Sequence, residues 1–117
     1  MNDRSPKLLW DARRAAMRAM EFLGDRDLAD YLASNLVQSA VERQIEIMGE
    51  ALTSLRRTDP DLASQVPDLP RIIGTRNILI HRYASVDNEK VWLIVTQELP
   101  GFIAAVTALL ESLPGAD

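Results

Sequence analysis

Between residues 34 and 57 apolar side chains return every third or fourth position: Leu36, Val37, Ala40, Val41, Ile45, Met48, Leu52 and Leu55. Kept for about six turns, that period fits a helix and no strand. A helix this long, apolar along one stripe, has to be covered by other helices. The sequence therefore predicts a helix over 34–57 as the spine of an all-helical fold.

The rest of the chain offers the covering helices. Ser5 and Pro6 read as N-cap and first helical residue and Gly24 as a stop, giving a helix from about 6 to 23. Its stripe of Leu9, Ala12, Ala16, Ala19 and Leu23 is small enough for close approach. Arg13, Arg14 and Arg18 lie off that stripe and read as a solvated face. Residues 25–33 suggest a short helical turn or two, with Leu28, Tyr31 and Leu32 inward. Asp59-Pro60 ends the long helix, because the residue before proline is pushed out of the helical region, and 60–67 reads as a loop. Asp68 reads as the N-cap of a helix ending near His81 or Arg82, with Ile72, Ile73, Leu79 and Ile80 inward. Asp87 reads as the N-cap of a last helix over 88–113, kinked near Pro100, which removes the bond to the Thr96 carbonyl. The fold class is all-α: an antiparallel bundle of four main helices plus one short helix, in a single domain over 1–117.

Composition narrows the chemistry. With no cysteine among 117 residues, disulfides, thiolate nucleophiles and sulfur-ligated metals are excluded. No secretory signal is visible, and the longest strongly apolar run, 102–110, falls short of the roughly 20 residues that span a bilayer. A soluble, cytoplasmic protein with no membrane partner is expected. Net charge is −4, so a broad basic field for nucleic acid is absent. Of the 13 cations only Lys7 and Lys90 are lysine, and arginine's planar fork suits phosphate. Codon usage in a GC-rich genome would give the same ratio. Glu42, Glu46 and Glu50 follow one another at spacings of four and call for arginine partners from elsewhere. Gly49, inside the same helix, suggests a backbone packed closely against it.

The chemistry concentrates in residues 76–83, Arg-Asn-Ile-Leu-Ile-His-Arg-Tyr, which hold the only histidine. Asn77 and His81 are one helical turn apart, and Arg76 and Tyr83 two turns. Histidine moves protons near neutral pH, and arginine stabilises charge developing on phosphate. Together they meet the minimum for cleaving RNA without a metal. One histidine cannot easily serve as base and acid at once, which makes a symmetric dimer attractive. The spacing by itself also fits a structural role, with His81 at the negative end of its helix and Arg76 paired with Glu46 or Glu50. Glu50 reads either as a carboxylate orienting Arg76 or as a partner of Arg43 or Arg56. No Glu-x-x-His spacing occurs, so no metal or cofactor is expected.

Arg76-Asn77-x-x-x-His81-x-Tyr83 resembles the Arg-x4-His-x-Tyr signature of HepT-like toxins in the HEPN superfamily. Ile47-Met48-Gly49-Glu50-Ala51, Gly74-Thr75-Arg76-Asn77, Val91-Trp92 and Leu99-Pro100 resemble other elements of that family, so the likeness covers about 41–110. It implies a metal-independent endoribonuclease of a toxin-antitoxin pair, active as a homodimer with RNA as substrate. By the same resemblance His81 is the general acid and base, Arg76 holds the scissile phosphate and Asn77 orients one of them. A cognate MNT nucleotidyltransferase would silence the toxin by AMPylation of Tyr83. The alternatives are a non-catalytic nucleotide-binding partner subunit of a nucleotidyltransferase and a purely structural dimerising bundle.

Overall fold

A computed structural model describes residues 4–81 and 87–114, with the side chains of 76–81 outside the description. The described residues are helical with no strand: α1 Ser5–Leu23, α2 Leu28–Leu32, α3 Asn35–Thr58, α4 Pro60–Ala63, α5 Leu69–His81, α6 Asn88–Leu93 and α7 Leu99–Ser112. The predicted spine is α3, and α1 and α5 pack against it, while α7 packs against α1.

Long-range hydrogen bonds give the directions. The Ser5 hydroxyl, at the start of α1, donates to Asp59 Oδ2 at the end of α3 over 2.7 Å, so these helices are antiparallel. Ser5 is thus the first helical residue and not the N-cap. Arg4 holds the cap position and gives no side-chain cap bond. The reason is Asp59, a buried carboxylate that also caps α4 by accepting from the Leu62 N–H at 3.2 Å and needs donors in the core. Arg13 Nη1 donates to Thr107 Oγ1, and Trp92 Nε1 to the Arg26 carbonyl, which sets the last helical stretch antiparallel to α1.

Most of the local punctuation follows from side-chain chemistry. Gly24 ends α1 at φ +62°, a backbone that glycine adopts without strain, and its N–H bonds the Met20 carbonyl. Ser34 and Asp87 cap α3 and α6 by accepting from the Val37 and Lys90 N–H groups, each at 3.1 Å. Asp68 precedes α5, and its carbonyl accepts from the Ile72 N–H. Its φ of +57° is left-handed, however, where an N-cap is usually extended.

Four expectations are corrected. Part of the loop expected over 60–67 is α4, started by Pro60 and the Asp59 cap and held by buried Leu62 and Ala63. Leu36 is 81% exposed and Leu32 48%. At that end of the fold Gln38 takes the inward position, and its amide donates to the Tyr31 and Leu32 carbonyls where α2 stops. Glu46 finds Arg43 on its own helix, at 3.4 Å, where an arginine from elsewhere was expected. Finally, 88–112 forms one 25-residue helical stretch that, by length and composition, is apolar enough to cross a bilayer. Apolar residues on both sides of Pro100 add up along it. In this fold Val91, Ile94, Val95, Leu99, Phe102 and Val106 of that stretch enter the core.

The irregularity near Pro100 takes the form of a π-helical turn, Ile94–Glu98, directly before α7. Proline has no N–H, and its ring crowds the carbonyl four residues back, so widening the turn relieves the conflict. The Thr96 hydroxyl donates to the Trp92 carbonyl at 2.9 Å inside this stretch.

Burial first, and then the Glu46 charge, raise the Glu42 carboxyl above the usual carboxylate range. The folded state therefore takes up a proton more readily than the unfolded one. Stability falls as pH rises from the unfolded value through the folded one. Glu42→Gln is expected to raise the melting temperature by about 1–3 °C at pH 7, the size of a relieved like-charge pair. The gain should vanish below about pH 4, where the carboxyl is neutral in both states. Thermal melts at the two pH values check both halves.

Candidate active site

The backbone of α5 carries Arg76, Asn77 and His81. Leu69, Ile72, Ile73 and Thr75 are buried at its start, and the Arg71 guanidinium pairs with Glu98 across to the π-helical turn. Arg76 and Asn77 follow Ile72 and Ile73 by one turn of the register, and His81 ends the helix. Arg76 and His81 are then about 7.5 Å apart along the axis. Asn88, which opens α6, donates through Nδ2 to Gln38 Oε1 at 3.4 Å in the first turn of α3. The chain thus arrives beside the start of α3 after leaving its end through α4, and α5 runs back antiparallel to α3. Tyr83 lies outside the described residues, as does the side-chain geometry that would join Arg76, Asn77 and His81.

Buried polar groups gather where α2, α3 and α6 meet, the end of the fold towards which α5 runs. The Tyr31 hydroxyl and Asn88 Oδ1 are buried without a hydrogen-bond partner among the described residues. Burial, with the Glu42 charge adding to it, pushes the Tyr31 phenol well above its usual range, so it stays protonated. No group of three or more possible metal-ligating side chains occurs among the described residues.

Glu50 is exposed and lines a cavity of about 360 Å³ between α1 and α3, together with Asp11, Arg14, Arg18 and Gln44. The sequence offers Glu50 either the α5 arginine or a surface arginine such as Arg43 or Arg56 as partner. In this groove the structure also sets it beside Arg14 and Arg18 of α1, a proximity that no local spacing could show. Gly49 is buried beside it, and its carbonyl accepts the Thr53 hydroxyl at 2.7 Å.

The helix carrying Arg-Asn-x-x-x-His, packed on a spine that bears Gly49-Glu50-Ala51, agrees with what sequence comparison finds. The family model described as Ribonuclease HepT-like matches residues 12–109, nearly the whole described bundle. The chain belongs to the HepT-like family of the HEPN superfamily. "Putative RNase MJ1380" of Methanocaldococcus jannaschii is 34% identical over 94 residues, 79% of this chain and 84% of that protein. "Probable ribonuclease HepT" of Thermococcus cleftensis is 31% identical over 94 residues, 79% and 83% of the two chains. "Putative RNase TTE0752" of Caldanaerobacter subterraneus is 29% identical over 99 residues, 81% and 88%. No solved structure matches at the same level of significance. Each of these three relatives is covered over more than four fifths of its length, so the likeness reaches well beyond one helix.

Proposed function

We propose that this chain is a metal-independent endoribonuclease whose reaction runs at α5. The observation that carries the reading is the Arg76-Asn77-x-x-x-His81 sequence on one helix of a HepT-like bundle. His81 takes the proton of a ribose 2'-hydroxyl, and the 2'-oxygen attacks the adjacent phosphorus. The bond from phosphorus to the 5'-oxygen breaks, and that oxygen leaves with a proton. The products are a 2',3'-cyclic phosphate and a 5'-hydroxyl, and no water or metal enters the balance. Arg76 bears the charge gathering on the phosphoryl oxygens, and Asn77 holds the phosphate or the imidazole in place. The second proton transfer falls to the histidine of a second copy, so the working unit is a homodimer. Cytoplasmic RNA is the substrate. Incubating the wild-type protein with RNA in excess chelator tests this: cleavage is expected, and intact RNA overturns it.

The resemblance extends the reading to a toxin-antitoxin pair, with a cognate MNT nucleotidyltransferase that attaches AMP to Tyr83. An adenylyl group two residues from His81 would bring a phosphate and a bulky base to the place where RNA must lie. After incubation with that nucleotidyltransferase and ATP, mass spectrometry is expected to find the added AMP on Tyr83, and cleavage is expected to stop. Tyr83→Phe should remain active and unmodified, whereas modification at another residue would refute the assignment.

A further inference from the structure

The outward face of α1 brings together an exposed indole and three arginines. Trp10 is 42% exposed, and the Arg14 guanidinium lies over its ring, 5.3 Å from the centroid. Arg13, Arg14 and Arg18 border, with Trp10, Met17 and Glu21, a surface hollow of about 530 Å³. Arg14 and Arg18 also form one wall of the α1–α3 groove in which Glu50 lies. The two arginines therefore stand on the ridge between hollow and groove.

Their charges are available. Neither Arg14 nor Arg18 is in an ion pair among the described residues, and the Asp11 carboxylate beside them is taken by Lys7 at 3.1 Å. Arg13 is fixed by its bond to Thr107. Three arginines against one glutamate border the hollow, on a chain whose net charge is −4. An acidic protein that gathers cations around an exposed indole offers charge complementarity to a polyanion with flat, stackable groups. Single-stranded RNA has both, because its unpaired bases can stack on an aromatic or guanidinium face while its phosphates meet arginine.

We propose that the α1 face of Trp10, Arg14 and Arg18 binds single-stranded RNA, with Trp10 as the stacking surface and the two arginines as phosphate contacts. The proposal rests on the ribonuclease reading and adds where the substrate lies outside the reacting atoms. Trp10→Ala should weaken binding roughly 5- to 150-fold at every salt concentration, the usual range for one lost stacked base. Arg14→Ala/Arg18→Ala should make the dependence of log K on log salt shallower by about 1.4, at about 0.7 per phosphate contact on a single strand.

The experiment measures anisotropy of a labelled single-stranded oligoribonucleotide across a salt series. It uses the His81→Ala protein and the same protein carrying each α1 change, alongside KM and kcat for the α1 changes in active protein. The expected result is the two binding signatures above, with KM raised, kcat kept and thermal melts unchanged. If the wild type cuts RNA but the α1 variants keep its affinity, salt slope and KM, the proposal fails and the ribonuclease reading stands. If the variants lose dimerisation in light scattering while RNA binding is intact, the face belongs to a second copy and the proposal fails. If the unaltered protein neither binds nor cuts RNA, both readings fall.

Discussion

His81→Ala is expected to lower RNA cleavage by about 10²–10⁴-fold, the usual contribution of a positioned proton-transfer group. It should do so with little change in melting temperature. The helix that carries His81 is anchored at its other end by Leu69, Ile72 and Ile73, all buried, and His81 is its last residue. Alanine at a terminal position disturbs neither those contacts nor the helix register. If His81 served only its helix end, the same change would remove about 0.3–1 kcal/mol of favourable charge interaction at most and leave any cleavage as it was. Activity and stability therefore separate the two roles in one variant. Comparing single-turnover rates with thermal melts of the same preparations makes the distinction.

The second large effect is on stability. Leu52→Ala is expected to cost about 2–5 kcal/mol, because Leu52 is fully buried on α3, the helix against which both α1 and α5 pack. For a chain of this size that corresponds to a fall in melting temperature on the order of 10 °C or more. Leu36→Ala provides the contrast. It belongs to the same apolar period, yet Leu36 is 81% exposed, and its loss should cost no more than about 0.5 kcal/mol. Urea titrations of the two variants with equal slopes would show that the difference lies in the folded state.

That contrast also marks how far the sequence could be read. Gly24 and Asp87 were legible because a cap or a stop is decided by a residue and its neighbours within a turn. The spine was legible because its period persists over about six turns. What escaped depends on distant residues. Ser5 looks like an N-cap until Asp59, 54 positions away, claims its hydroxyl. Leu32 and Leu36 look like core until Gln38 is seen filling the inward place and holding the end of α2. α4 is four residues long, too short to leave a period.

The same division runs through the site. The order Arg76, Asn77, His81 is a local pattern on one helix, so its placement on α5 followed from the sequence. Glu50 was legible as a residue of interest but not its surroundings, since the groove it lines is closed by Arg14 and Arg18 of α1. Those arginines sit off the apolar stripe and read as an ordinary solvated face. Arg14 meets Trp10 one turn away on the same helix, but the meeting of these arginines with Glu50 arises only from the antiparallel packing of α1 on α3.

The central claim is that residues on α5 cleave RNA by internal attack of the 2'-hydroxyl, without a metal. Its most direct test is the end chemistry of RNA cut by the purified wild-type protein in excess chelator. A 2',3'-cyclic phosphate on one fragment and a 5'-hydroxyl on the other are expected. Intact RNA, or fragments ending in 5'-phosphate and 3'-hydroxyl, would contradict it.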